Sequence, residues 1–158
     1  MPDTTDSTNA NHERWMQVAL LEAHKASEIY QEVPVGAVIV SNNQIIAQAH
    51  NFSITEKNPT AHAEILVLKK AGNYLNNYRL TGCDLYVTLE PCLMCVGAMV
   101  HARINHCYFS AHDPKTGAAS SCDHSFEKPY HNHKVGYTGG ILENQSRLLL
   151  KNFFKTRR

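Results

Sequence analysis

The sequence predicts an α/β sandwich, one sheet covered by helices, and three observations carry that reading. Apolar residues recur at a helical period early in the chain, short β-branched runs follow, and helix-like and strand-like segments then alternate to the end. A length of 158 residues with 43% hydrophobic content suits one domain with its own core, and neither an internal repeat nor a second domain is visible.

The elements follow in order. Residues 1–11, rich in Thr, Asp, Ser and Asn, offer little to bury and are expected to be a disordered N-terminal segment, leaving a single domain over 12–158. From Glu13 to Tyr30 the positions Met16, Ala19, Leu20, Ala23, Ala26 and Tyr30 share a helical face. Pro34 interrupts, and Val35 to Val40 reads as a buried strand; Ser41-Asn42-Asn43 turns the chain, and Ile45 to Ala49 returns beside it. After a polar loop, Thr60 is the expected N-cap of a helix over 61–71 with Gly72 as its stop. Leu85 to Thr88 reads as a strand, Pro91 opens a helix over 92–102, and Cys107 to Phe109 is the next strand. The stretch 111–134 is loop-like, Val135 to Thr138 is an expected edge strand, and Ile141 to Thr156 closes the chain as a helix.

Composition removes several classes of function. A formal charge of +1 marks no strong field over the whole chain, so the distribution of charge is more informative than its sum. No apolar run approaches the ~20 residues of a membrane helix, and no membrane association is expected. The polar start lacks the basic and apolar regions of a secretory signal, which makes the cytoplasm the expected address. The five cysteines, Cys83, Cys92, Cys95, Cys107 and Cys122, are odd in number and unevenly spaced, and read as reduced thiols or metal ligands.

The chemistry concentrates in His62, Cys92 and Cys95. Two cysteines three apart share one helix face, and near a first turn the positive dipole end favours thiolate. If the two helix starts meet at the sheet's edge, they supply one nitrogen and two sulfurs, a set that suits Zn²⁺, one per chain. Three protein ligands leave a position for water, as in a catalytic site rather than a closed structural one. Glu64 follows His62 by two residues and in a first turn reaches the same cavity, where it fits a general base better than a ligand. Zinc with two thiolates and a neutral imidazole sums to zero charge, and such a site can still draw the pKa of water from ~16 toward ~7. Glu64 would then carry a proton from that water to a ring nitrogen and onward to departing ammonia, a hydrolytic deamination. Taken alone, Cys-x-x-Cys is often packing or a structural half-site, and His-Ala-Glu carries little. Their combination, with Pro91 directly before Cys92, is the specific signal.

His62-Ala63-Glu64 with Pro91-Cys92-Leu93-Met94-Cys95 matches the zinc nucleobase deaminase pattern. Beyond it, the blocks Glu32 to Val38, Pro59 to Glu64, Tyr78-Arg79-Leu80, Leu85 to Cys92 and Asp113 to Ala119 closely resemble the bacterial tRNA-specific adenosine deaminases. The resemblance implies a three-layer α/β/α sandwich of the cytidine deaminase type with a mixed five-stranded sheet, working as a homodimer. It implies conversion of adenosine to inosine at the wobble position of an arginine tRNA, with the anticodon stem-loop as partner. It also implies that Asn51 hydrogen-bonds the target base, that the Ala63 backbone contacts it, and that Val35 and Leu89 wall the pocket.

Asp113 and Lys115, in a loop after a strand, are candidates for the neighbouring ribose and phosphate, against the plainer reading of an exposed polar turn. Phe154 and Arg158, in a basic and aromatic C-terminus, suit stacking and phosphate contact, although cations there also complement a helix dipole. Cys122, His124, His131 and His133 raise the idea of a second metal site, but their spacing matches no ordinary zinc pattern. Three other readings compete: a free nucleobase or nucleoside deaminase of guanine or cytosine type, a non-catalytic zinc-stabilised RNA-binding module, and a deaminase of single-stranded DNA.

Overall fold

The computed structural model describes residues 4–157, side chains from residue 9 onward. A mixed five-stranded sheet forms the centre, in the order β2-β1-β3-β4-β5, with β1 over Gly36–Ser41, β2 over Gln44–His50, β3 over Asp84–Leu89, β4 over His106–Ala111 and β5 over Gly136–Thr138. β1 runs antiparallel to β2 and β3, while β3, β4 and β5 run parallel. The helices are α1 (Thr4–Tyr30), α2 (Ser53–Glu56), α3 (Ala63–Leu75), α4 (Leu93–His101) and α5 (Glu143–Lys155).

The period-two alternation of the central strands builds two cores. Ala37 and Ile39 of β1, Leu85 and Val87 of β3 and Cys107 and Phe109 of β4 face α3 and α4, packing on Val67, Val96 and Met99. Val38, Val40 and Tyr86 face the opposite side and pack on Trp15, Met16 and Ala19 of α1, with Ile141 and Leu142 before α5 joining them. Gly36 is required by this packing, because a Cβ there would overlap the Ala19 carbonyl oxygen of α1. Helices therefore lie on both faces, giving the three layers expected.

Residues 4–11 depart from the expected disorder: α1 begins at Thr4. His12 explains the extension, since its Nδ1 lies 2.6 Å from the Tyr86 hydroxyl and its ring stacks on Tyr108 at 4.2 Å. With His12, Trp15 and Met16 anchored, each upstream turn adds to an existing nucleus, and propagation is far cheaper than initiation. Residues 1–3 of that segment lie outside the described residues.

Two helix boundaries also differ. The Thr60 hydroxyl donates to Asn58 Oδ1 at 2.8 Å instead of capping a helix, so α3 starts at Ala63 with His62 in the N-cap position. Gly72 does not stop α3; the helix continues to Leu75 and ends where Asn76 adopts a left-handed conformation (φ 53°), its N–H returning to the Gly72 carbonyl. The loop 111–134 holds one 3-10 turn, Ser125–Glu127.

Candidate active site

Strand order brings distant residues to one edge of the sheet. β3 and β4 end there, at Leu89 and Ala111; β1, antiparallel to β3, begins there just after Val35, and β2 ends there just before Asn51. In open α/β sheets such a carboxyl edge is where ligands bind. The chain exits β3 through Glu90-Pro91 into α4, whose N-cap is Cys92, and α3 begins with His62 as its N-cap. Both helices point their positive ends at the same place.

His62 Nδ1 lies 3.7 Å from Cys92 Sγ and 3.6 Å from Cys95 Sγ, and the two sulfurs are 3.8 Å apart. Tetrahedral zinc with bonds of ~2.3 Å to sulfur and ~2.0 Å to nitrogen sets separations of ~3.8 Å for S–S and ~3.5 Å for S–N. The three atoms therefore fit one zinc ion, and they form the only metal-competent cluster found among the described residues. The four residues of the 122–133 segment bond separately instead: Cys122 to the Pro114 carbonyl, His124 to Tyr137, His131 to the Ser125 carbonyl and His133 to the Ile104 carbonyl.

The thiols are tuned as a pair. A hydrogen bond from Cys95, reinforced by His62, pushes Cys92 down to about 4, while its role as donor and its burial push Cys95 up. The hydrogen bond to Cys92 also raises His62 above the usual histidine range. The protein alone thus favours one thiolate and one thiol, and a bound metal displaces the remaining thiol proton.

Glu64 is buried in the first turn of α3, 4% exposed, within reach of Cys95. Burial pushes its carboxyl up to about 7, against the lowering effects of its own backbone N–H and of His62. A dication beside it acts in the opposite direction. The carboxyl is therefore held where its protonation responds to charge in the site.

Other sequence candidates take more specific places. Asn51 Oδ1 accepts the Ala63 N–H at 2.8 Å, which turns the amide's NH₂ end the other way. The Ala63 N–H is thus bonded to Asn51. Val35 is buried, and its carbonyl accepts the Asn51 N–H at 3.0 Å; Leu89 is half-buried at the end of β3. The Asp113 carboxylate accepts the Lys115 and Thr116 N–H groups and the Thr116 hydroxyl, so it shapes its own turn. The side chains of Lys115 and Phe154 are exposed; Phe154 meets Phe153 edge-on in α5, and Arg157 lies over the Phe153 ring at 4.3 Å. Arg158 lies outside the described residues.

Sequence reasoning missed Glu90. It is 3% exposed, and its carboxylate accepts the N–H groups of Asp113, Ala119, Ser120 and Ser121 as well as the Ser121 hydroxyl. Burial works to raise its pKa, but those hydrogen bonds outweigh it and hold the carboxyl below the ordinary range. Glu90 thereby fixes the 113–121 loop beside Pro91, whose carbonyl accepts the Ala118 N–H at 2.9 Å. The available signal was an acid directly before Pro-Cys at a strand end.

Comparison with known proteins agrees with this geometry. The model of the cytidine and deoxycytidylate deaminase zinc-binding region matches residues 9–111. The tRNA-specific adenosine deaminase of Haemophilus influenzae is 46% identical over 147 residues, covering 92% of this chain and 84% of that protein. A solved structure from studies of A-to-I editing by tRNA:A34 deaminases at the wobble position of transfer RNA is similar with a TM-score of 0.84 and 43% identity, over 87% of this chain and 99% of that one. The guanine deaminase of Bacillus subtilis is similar with a TM-score of 0.64 and 33% identity, over 89% and 93%.

Proposed function

Because the chain belongs to the cytidine and deoxycytidylate deaminase zinc-binding family, we propose that it converts adenosine to inosine at the wobble position of a tRNA, an arginine tRNA in particular. The observation that carries the chemistry is the convergence of His62, Cys92 and Cys95 on one ion-sized position, with the buried Glu64 beside it. The choice of substrate rests on identity to the tRNA-specific enzymes, which exceeds that to the guanine deaminase.

His62, Cys92 and Cys95 would hold a zinc ion, which when bound would supply the Lewis acidity that makes water nucleophilic at neutral pH. Glu64 accepts a proton from that water and delivers it to the purine ring nitrogen. The oxygen would bond to the ring carbon bearing the amine, and as the carbon–nitrogen bond breaks Glu64 would carry the remaining hydroxyl proton to the amine, which leaves as ammonia. Asn51, its carbonyl end bonded to Ala63, offers its NH₂ end to the base edge, with Val35 and Leu89 as apolar walls. A base can reach the buried Glu64 only if it is extruded from its stack, and an anticodon loop gives up a base more cheaply than a duplex does. Lys115, Phe154 and Arg158 are assigned to the RNA around it. A homodimer in the cytoplasm completes the reading; no helix among the described residues is long and apolar enough to cross a membrane.

The test is incubation of zinc-loaded protein with an arginine anticodon stem-loop carrying a wobble adenosine, beside free adenosine, cytidine and guanine. Inosine from the stem-loop alone, lost in Glu64→Ala, is the expected result. Turnover of free bases or nucleosides alone would leave the zinc chemistry and remove the tRNA. No turnover of any substrate would point to a binding module.

A further inference from the structure

Three aromatic rings surround the Asn51 backbone, and the chemistry above gives them no task. Tyr30, on the last turn of α1, stacks on His50 at 5.1 Å and 29°; it meets Phe52 edge-on at 5.0 Å and 77°. His50 and Phe52 lie 5.5 Å apart and close the trio. Tyr30 is held there by a defined helix end: Gln31 turns left-handed (φ 57°) and the Glu32 N–H returns to the Ala26 carbonyl at 2.8 Å. The rings line a groove of about 490 Å³ over the outer edge of β2, between α1 and α3. Despite their size they are not sequestered, since Tyr30 is 43% exposed and its neighbour Ile29 is 65% exposed.

The groove's charges decide what it can hold. Lys25 is paired with Glu22 at 3.1 Å, Lys70 donates to the Gln48 carbonyl at 3.0 Å, and Glu56 adds a second acid. Two cations against two carboxylates make a poor phosphate site. What remains is an aromatic cluster whose Tyr30 ring is 43% exposed, and an exposed ring binds an unstacked base through its π face. Extruding one base from a loop leaves its neighbours unstacked and in need of such a surface. His50 and Phe52 flank Asn51 in the chain, and His50 Nδ1 lies 2.9 Å from the Asn51 carbonyl oxygen, so the ring cluster adjoins the residue proposed to contact the base.

We propose that Tyr30, His50 and Phe52 form a stacking subsite for a nucleotide adjacent to the target adenosine, an inference that rests on the tRNA reading above. Its occupant is an unpaired RNA base held by ring stacking, with no requirement for a particular sequence.

The experiment uses the full chain loaded with zinc and anticodon stem-loops carrying 2-aminopurine immediately 5′ or immediately 3′ of the wobble adenosine. Stacking quenches this probe. Deamination is followed in the same samples, and a Glu64→Ala background repeats the binding without turnover. Quenching by the unsubstituted protein at one of the two positions is expected. Tyr30→Ala removes it and raises KM by roughly tenfold with little change in kcat, and Tyr30→Phe restores both. The Tyr30→Ala penalty stays constant between 50 and 200 mM salt, because no counterions are released, and it vanishes on a stem-loop abasic at that position. If stem-loop adenosine is deaminated but neither probe responds to Tyr30, or the penalty persists on the abasic RNA, the rings merely cover the β2 edge and the subsite is wrong while the tRNA reading stands. If the protein neither binds nor deaminates the stem-loops, both fall together.

Discussion

Asn51 Oδ1 accepts the backbone N–H of Ala63 at 2.8 Å, tying the loop after β2 to the helix start that carries His62 and Glu64. One side-chain amide thus fixes the site with one end and presents a donor with the other. Asn51→Asp keeps the acceptor and loses the donor, whereas Asn51→Ala loses both. The aspartate variant is expected to keep zinc and a near-normal Tm while kcat/KM on the stem-loop falls by about 10-fold or more. The alanine variant is expected to lose about 1–3 kcal/mol of stability as well. Denaturant titration beside steady-state kinetics separates the two; equal stability loss in both would show that the amide's acceptor end does not position α3.

Glu64 is not a ligand in this geometry, so metal content and activity should part company on its substitution. Glu64→Gln is expected to retain about one zinc per chain and to lose roughly 10²–10⁴ in kcat. Metal analysis and single-turnover assays on the same preparation check this. Loss of zinc along with activity would make Glu64 part of the metal's support rather than a proton carrier.

Cys95→Ser and His62→Ala should each abolish stoichiometric zinc, and loading the apoprotein should release the Cys95 thiol proton, measurable in weakly buffered solution. The fold itself should survive chelation, because Ile39, Leu85, Val87, Val96, Met99 and Phe109 form a core that needs no ion. Far-UV circular dichroism with and without chelator tests the point: a lowered Tm with an unchanged spectrum at 25 °C is expected, and wholesale unfolding would mean that the metal makes the fold.

Glu90 anchors four backbone N–H groups of the 113–121 loop with a single buried carboxylate. Glu90→Ala should free that loop and cost on the order of 3 kcal/mol, since several donors lose a charged acceptor at once. Limited proteolysis should then cut between residues 113 and 121 faster than elsewhere. An unchanged cleavage pattern would show that the Pro91–Ala118 bond and the Asp113 turn hold the loop without it.

Acid stability offers a separate check at Glu32. Burial works to raise its pKa, but the Thr55 hydroxyl and the Thr55 and Ile54 N–H groups outweigh it and leave the carboxyl below the ordinary range. A group depressed on folding contributes stability above its unfolded pKa, and that contribution is lost as pH falls through the folded value. Stability should therefore decline as pH drops below about 4.5, the usual glutamate region. Glu32→Gln should be less stable near neutrality and show a shallower acid limb. Parallel acid limbs in the two proteins would mean that this carboxylate does not couple to folding.

The sequence alone determined the zinc-competent trio His62, Cys92 and Cys95 with Glu64 beside it, because these depend on residue type and on spacings of two and three within single helix starts. It also determined the five strands, since short apolar and β-branched runs bounded by turn residues report local backbone preference. Helix ends were less legible: Thr60 has the chemistry of a cap, yet Asn58 takes its hydroxyl, and Gly72 is passed over because Asn76 supplies the left-handed turn. Only the tertiary structure decided that Val35, Asn51, Leu89 and Asp113 share an edge with Cys92, that Glu90 and not Asp113 anchors the loop, and that Tyr30 meets His50 and Phe52. Each of these depends on strand order, direction and register, and hence on contacts between residues far apart in the chain, whose energies no local pattern encodes.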